Sequence, residues 1–376
     1  MKILIFTINP LHNAPRVIRE IDALKNNFEI IATGITPPHD KNIEYIDAEK
    51  FVLSSFEYTL GKIFRVLSLG RVFKGRYPSI QSKIDRLIRE TNPDIVIVHP
   101  GAYLSYFSKA NRQYKLVFNA HEFHPKEFES DQRWKSTWGK IHDHIYRTHL
   151  PKIDLLINVC EGIGQECKTA YGRDSIIIPN AGPYYPNLKP KLRSDGKIRM
   201  IHHGVAIKER SLENMIELAG RLEVNYELDM MLVYQDQAYF DKLTALASNY
   251  TNVRIIPPVA FDDIVSSISE YDIGLFLLPP ANFNYLHALP NKFFEFIQAR
   301  LAIAVGPSPE MANVVKEYEL GIVSSDFSVE SMHSLLSKLS HDEINTFKRN
   351  SNQAAMELNA EQYNSLLLSS IQSLNN

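Results

Sequence analysis

At 376 residues the chain is about two and a half times the roughly 150 residues of an average domain, which excludes a peptide or a single small module. Its 44% hydrophobic and 22% charged residues, with 20 Pro and 16 Gly, supply apolar side chains for two cores and exclude a disordered or fibrous chain. The net charge of -2 is unevenly spread: residues 1 to 200 hold 30 Lys and Arg against 21 Asp and Glu, residues 201 to 376 hold 11 against 22, and the basic first half is expected to meet something anionic.

The opening run KILIFT (2 to 7) reads as a buried strand and not a signal peptide, because it is short, lacks a small-residue cleavage site and ends in Asn9-Pro10. In PRVIREIDALKNN, Val17, Ile18, Ile21 and Leu24 recur at helical spacing, and EIIATGI (29 to 35) is the next strand. Strand, helix and strand with short connections predict a right-handed parallel unit. The first half continues with DIVIVHP (94 to 100), KLVFNAH (115 to 121), DLLINVC (154 to 160) and SIIIPNA (175 to 181). Such near-continuous apolar runs suit parallel strands buried on both faces. GPYYPNLKPKLRSDGK (182 to 197) interrupts the pattern, its polar residues 186 to 197 reading as a linker.

The alternation then begins again with RMIHHG (199 to 204), LDMMLVY (228 to 234), NVRIIPP (252 to 258), DIGLFLL (272 to 278) and LAIAVG (301 to 306), with helical segments such as SLENMIELAGRL (211 to 222) between them. This order predicts two doubly wound α/β domains, over residues 1 to 185 and 198 to 345, and a helical tail, 346 to 376, that packs back on the first. Ligands of open parallel sheets bind beyond the carboxyl ends of the strands, so two such domains facing each other are expected to form a cleft lined by those loops. No run reaches the roughly 18 apolar residues of a spanning helix, and Cys160 and Cys167 form neither a disulfide scaffold nor a C-x-x-C pair. A reduced, cytoplasmic protein that does not cross a membrane is expected.

A dinucleotide fingerprint is poorly matched. Gly162-x-Gly164-x-x-Cys167 follows a strand, but its third position is Cys and no acidic residue ends a strand about 20 residues on. A P-loop motif is absent from the sequence. The most informative stretch is NYLHALPNKFFEFIQARLAIAVG (284 to 306), where Pro290 is placed to open a helix. The backbone N–H groups of Asn291 and Lys292 would then lie at its positive end and, with the Lys292 charge, hold an anion. Glu295, about one turn further in, can accept two hydrogen bonds from neighbouring hydroxyls, as on a ribose; the alternative is a carboxylate that offsets the helix dipole and a solvated lysine. After the strand RMIHHG, Lys208 and Arg210 precede the next helix, where fixed cations would stabilise a diphosphate leaving group, or form a solvated loop. His121 and Glu122 end the strand KLVFNAH, and His121 and His124 lack the spacing and third ligand of a zinc site. Arg16 and Arg19 open the first helix and can reach a phosphate or an acceptor.

These segments resemble the retaining GT-B glycosyltransferases of family 4 over residues 1 to about 340, most strongly over 198 to 306. The helix PNKFFE is similar to the family's P-N-K-x-x-E element, and the resemblance implies that Glu295 binds the nucleotide ribose. By the same resemblance Lys208 and Arg210 grip the donor diphosphate with Asn291 and Lys292, His121 approaches the donor sugar, and His121, Glu295 and Arg210 are the catalytic residues. Arg16, Arg19 and Glu122 are implied on the acceptor or phosphate side. Two departures stand out: His287 occupies the first position of the family's E-x7-E pair, and Arg300 replaces the usual Gly before LAIAV.

The segment LGKIFRVLSLGRVFKGRY (60 to 77) carries Lys62, Arg65, Arg71, Lys74 and Arg76, no acidic residue and interleaved apolar side chains. Such a segment can lie on an anionic membrane surface, or pack its apolar face on the sheet. No nucleic-acid motif accompanies it. The implied reaction moves a sugar from a nucleoside-diphosphate donor to a glycan or lipid-linked acceptor with retention, in cell-surface polysaccharide assembly, without metal or other cofactor and at the inner face of the membrane. A nucleotide-sugar epimerase on the same scaffold and a non-catalytic scaffold subunit are the alternatives.

Overall fold

The computed structural model describes residues 1–53, 59, 77–194, 196–223 and 225–374. The basic segment at 60 to 77 lies outside these residues except for Tyr77. Among the described residues the chain forms two α/β units. One comprises Met1–Pro179, Asn282–Asn284 and Tyr363–Asn376, the other Asn180–Ala281 and Tyr285–Gln362.

The first unit is built on strands β1 (Lys2–Phe6), β2 (Glu29–Gly34), β3 (Glu44–Asp47), β4 (Ile95–Val98), β5 (Lys115–Asn119), β6 (Leu155–Asn158) and β7 (Ile176–Ile177). They pair in parallel in the order β3-β2-β1-β4-β5-β6-β7. β3, EYID, is too short and polar to register as an apolar run, and its burial is partial, as suits an edge strand. The helix Pro15–Leu24 turns Val17, Glu20, Ile21 and Leu24 inward. Its apolar members join Ile3, Ile5, Ile95, Ile97, Val117 and Ile157 in a core to which Leu367 and Ile371 also contribute, from the helix Ala360–Ser373.

The second unit repeats the plan with β8 (Ile198–Ala206), β9 (Tyr226–Tyr234), β10 (Val253–Ile256), β11 (Ile273–Phe276), β12 (Ala302–Val305) and β13 (Gly321–Val323), parallel in the order β10-β9-β8-β11-β12-β13. The doubly wound parallel architecture read from the alternating runs is therefore present in both units, with β3 and β13 as strands the apolar pattern did not reveal. In each sheet the order reverses between the first strand and its neighbour, β1 and β4 in one and β8 and β11 in the other. A crevice opens at such a switch point beyond the strand ends. Residues 180–194, without helix or strand, strap the second unit: Arg193 meets Asp272 at 3.2 Å, and the Tyr185 carbonyl accepts from Arg300 at 2.7 Å. Both cysteines are buried thiols. Among the described residues no helix is long and apolar enough to cross a membrane.

Candidate functional site

In the second unit the pairing of β8 with β11 is recorded through Ile201 and Gly274. Beyond that point the side chain of His202 takes up the Leu275 carbonyl, Nδ1 to O at 3.0 Å. This assigns the proton to Nδ1 and leaves Nε2 as an acceptor, which faces the Lys292 Nζ at 3.3 Å. The ammonium also lies 4.4 Å from the centre of the Phe276 ring, a cation–π contact. Lys292 comes from the helix Asn291–Gln298, with Pro290 as its N-cap. That helix can approach the sheet because β11 carries Gly274, where a Cβ would sit 2.3 Å from the Phe296 ring. Gly204 on β8, at φ 129°, brings its backbone against the lysine: a Cβ there would meet Lys292 Nζ at 3.0 Å.

Lys292 is not a solvated charge but a buried one, 7% exposed. Burial holds its ammonium well below the ordinary lysine pKa, and the nearby positive charge of Arg210 pushes the same way while the Glu295 carboxylate opposes both. Glu295, also buried, stands 3.2 Å from the His203 Nε2, though that atom makes no aligned hydrogen bond. Burial, then Lys292, lowers the His203 pKa to about 3, so the ring beside Glu295 is neutral. Arg210 ends a short helical turn, Lys208–Arg210, and reaches back to the Val205 carbonyl at 3.4 Å. Gly204, Arg210, Lys292 and Glu295 thus gather at the switch point, Asn291 opens the helix half-buried, and Lys208 is exposed. His202, His203 and Phe276 were not singled out by the sequence reading, although two adjacent histidines ending a buried strand are an unusual signal. His287 pairs with Glu310, Nδ1 to Oε1 at 2.9 Å, so a carboxylate stands beside the position where the family's first Glu would be.

In the first unit His121 follows β5, half-buried, and its Nε2 lies 2.7 Å from the His99 Nδ1. His99 Nε2 meets Glu20 Oε2 at 2.8 Å, and the other carboxylate oxygen accepts from Asn119 at 2.8 Å. Arg16 donates to the Ile178 carbonyl at 2.9 Å, and burial followed by the charge of Arg19 lowers its pKa to about 10. Desolvation, and next the charge of Arg16, hold the His121 pKa well below its ordinary value. Arg19 is half-buried and Glu122 exposed. Glu20 and His99 were missed by the sequence reading. The signal was present, since Glu20 shares the helix face of Val17, Ile21 and Leu24, where a carboxylate is out of place. Among the described residues no group of three or more His, Cys, Asp or Glu side chains is placed to hold a metal ion.

No protein-family model matches the chain, and no curated protein is similar to it. Solved structures are. Sucrose-phosphate synthase from Thermosynechococcus elongatus matches with a TM-score of 0.77 at 10% identity, over 100% of this chain and 99% of that one. The fold is that of the GT-B glycosyltransferases. An Anabaena protein in complex with UDP and glucose matches this GT-B chain at a TM-score of 0.70 and 12% identity, over 99% of this chain and 100% of that one. For the lipopolysaccharide outer core galactosyltransferase in its apo form the values are 0.63 and 14%, over 99% of both chains. At such identities the likeness is one of fold, and the chemistry rests on the residues themselves.

Proposed function

We propose that this chain is a glycosyltransferase that moves a sugar from a nucleoside-diphosphate donor to a glycan or lipid-linked saccharide acceptor, with retention of configuration, in cell-surface polysaccharide assembly. The observation that carries the reading is Lys292, a buried lysine at a switch point, beside Arg210, the backbone of Gly204 on β8 and the start of a helix. Burying an ammonium is costly unless an anion compensates it. A diphosphate would supply that anion, and the charge it gains as the glycosidic bond breaks would be taken up by Lys292, Arg210 and the helix amides. These cations can do the work of a metal ion at the diphosphate, so metal-independent transfer is part of the proposal. Glu295 would accept hydrogen bonds from the ribose, and His121 with Arg16, Arg19 and Glu122 would serve the sugar and acceptor. Retention and the acceptor class follow the family resemblance, and the basic segment at 60 to 77 is proposed to rest on an anionic membrane surface at the cytoplasmic face.

The test is a thermal-shift screen of the wild type and Glu295→Ala against UDP-, GDP-, ADP- and CMP-linked sugars. A ligand that binds only the native state raises the melting temperature. One nucleotide class should do so for the wild type and fail for Glu295→Ala, whose fold survives. No shift with any donor would overturn the assignment, and equal shifts and turnover in both proteins would remove Glu295 from the mechanism.

A further inference from the structure

Behind Lys292 stands a histidine whose own proton is assigned by the backbone. His202 lies one residue past the recorded pairing of β8 with β11, is 0% exposed, and stacks on the Phe276 ring at 5.6 Å and 26°. Its Nδ1 is 3.0 Å from the Leu275 carbonyl, and a carbonyl only accepts, so Nδ1 carries hydrogen whether or not the ring is charged. Burial first, and then the charge of Lys292, hold the His202 pKa well below its ordinary value, so the ring is uncharged at neutral pH and Nε2 is bare. That lone pair faces the Lys292 Nζ at 3.3 Å. Among the described residues this is the one hydrogen bond of the Lys292 side chain, which leaves two ammonium hydrogens without a protein acceptor. The other groups around it act through charge or shape. Arg210 repels the ammonium, Glu295 attracts it, His203 is neutral, and the Phe276 ring centre lies 4.4 Å away.

We propose that His202 is a positioning residue of the donor site: tied to the Leu275 carbonyl as a neutral acceptor, it takes one hydrogen of the Lys292 ammonium and so directs the other two at oxygens of the donor diphosphate. The proposal rests on the transferase reading and adds to it how the lysine is aimed. The position calls for an acceptor. A ring with hydrogen on Nε2 would turn an N–H toward the ammonium and push it off, and an apolar side chain would leave that ammonium hydrogen facing a dry wall at the cost of an unmade bond. Fixing a histidine tautomer from behind through a carbonyl is the device that orients metal-ligating imidazoles, where losing an outer partner costs about 10- to 100-fold.

The experiment is NMR on the full chain with labelled histidine and lysine, His202 and Lys292 being assigned by the signals lost in His202→Gln and Lys292→Met. Without donor, wild-type His202 should show a protonated Nδ1 and a bare Nε2. A hydrogen bond accepted from an ammonium favours its charged form, so His202→Leu should lower the Lys292 titration midpoint by about one pH unit. His202→Gln, whose amide oxygen can accept from the ammonium, should hold the midpoint near that of the wild type. With donor, the pH above which binding weakens should fall in step in His202→Leu, and kcat at saturating donor should drop about 10- to 100-fold. His202→Gln should recover most of both losses. A wild-type His202 protonated on Nε2 overturns the inference whether or not the variants fold, as does a folded His202→Leu with an unchanged Lys292 midpoint or unchanged turnover. The two readings fail separately: a chain that binds no nucleotide sugar sinks the transferase assignment, whereas an active transferase whose His202→Leu variant matches the wild type sinks this inference alone.

Discussion

A lysine enclosed by His202, Phe276 and the backbone of Gly204 gives up its proton more readily than one in water, because burial penalises only the charged form. The sign of the consequence can be worked out. The unfolded chain keeps Lys292 protonated up to its ordinary value of 10.5, whereas the folded chain releases the proton at lower pH. Over that window the unfolded state binds more protons, so this residue makes the fold more stable as pH rises and less stable as it falls. A bound diphosphate restores the reason to be charged. Donor binding at mildly alkaline pH should therefore take up a proton, visible by calorimetry as a binding enthalpy that changes with the ionisation enthalpy of the buffer. Lys292→Met should abolish that dependence and weaken donor binding; a buffer-independent enthalpy in the wild type would show that Lys292 does not change protonation.

At the scale of elements, the helix Asn291–Gln298 is held at both ends by unusual backbone. At its front, Gly204 is needed twice, for its positive φ and for the space that Lys292 Nζ occupies. Gly204→Ala should cost about 1–3 kcal/mol of stability and weaken donor binding, read by denaturant unfolding and by donor titration. At its back, Arg300 adopts φ 63° where a glycine usually ends a helix, and it is fully buried. Its guanidinium donates to the carbonyls of Gln298 at 2.6 Å and Tyr185 at 2.7 Å and to Asn352 at 2.9 Å, fastening the strap and a later helix to the end of the helix Asn291–Gln298. Glycine at 300 would relieve the left-handed strain, worth about 1–2 kcal/mol, but leave several buried acceptors unpaired at about 1–3 kcal/mol each. The second effect wins, so Arg300→Gly should lower the unfolding free energy by about 2–4 kcal/mol. A variant as stable as the wild type would contradict this. Arg300 is thus a structural tie between the strap, a later helix and the end of the helix Asn291–Gln298.

Over the whole molecule, each unit closes its own core, and the last helix joins the end of the chain to the first. Leu367 and Ile371 lie among the strands of β1, β4, β5 and β6, 3% and 0% exposed. Ile371→Ala should destabilise that unit by about 2–5 kcal/mol through lost burial and the cavity left behind. Hydrogen exchange by mass spectrometry is the check: peptides of β1, β4 and β5 should lose protection while those of β8, β11 and β12 keep it. Equal loss in both sets would mean that the units unfold as one.

Periodicity alone carries the strand–helix alternation, since a strand buried on both faces must be apolar at every position and the runs at 2–7, 94–100 and 272–278 satisfy this without any partner being known. The loop positions of His121, Arg210, Lys292 and Glu295 followed for the same local reason, being the residues just beyond strand ends or in first helical turns. Tertiary structure alone decided their chemistry. That Lys292 is enclosed and not solvated and that Glu20 and His99 line up behind His121 depend on segments 20 to 100 residues apart meeting at a switch point, and that Glu310 stands against His287 depends on the neighbouring strands β11 and β12. Proton affinity is set by which groups share a dry space, and nothing in the linear order of residues encodes that space until the sheet is assembled.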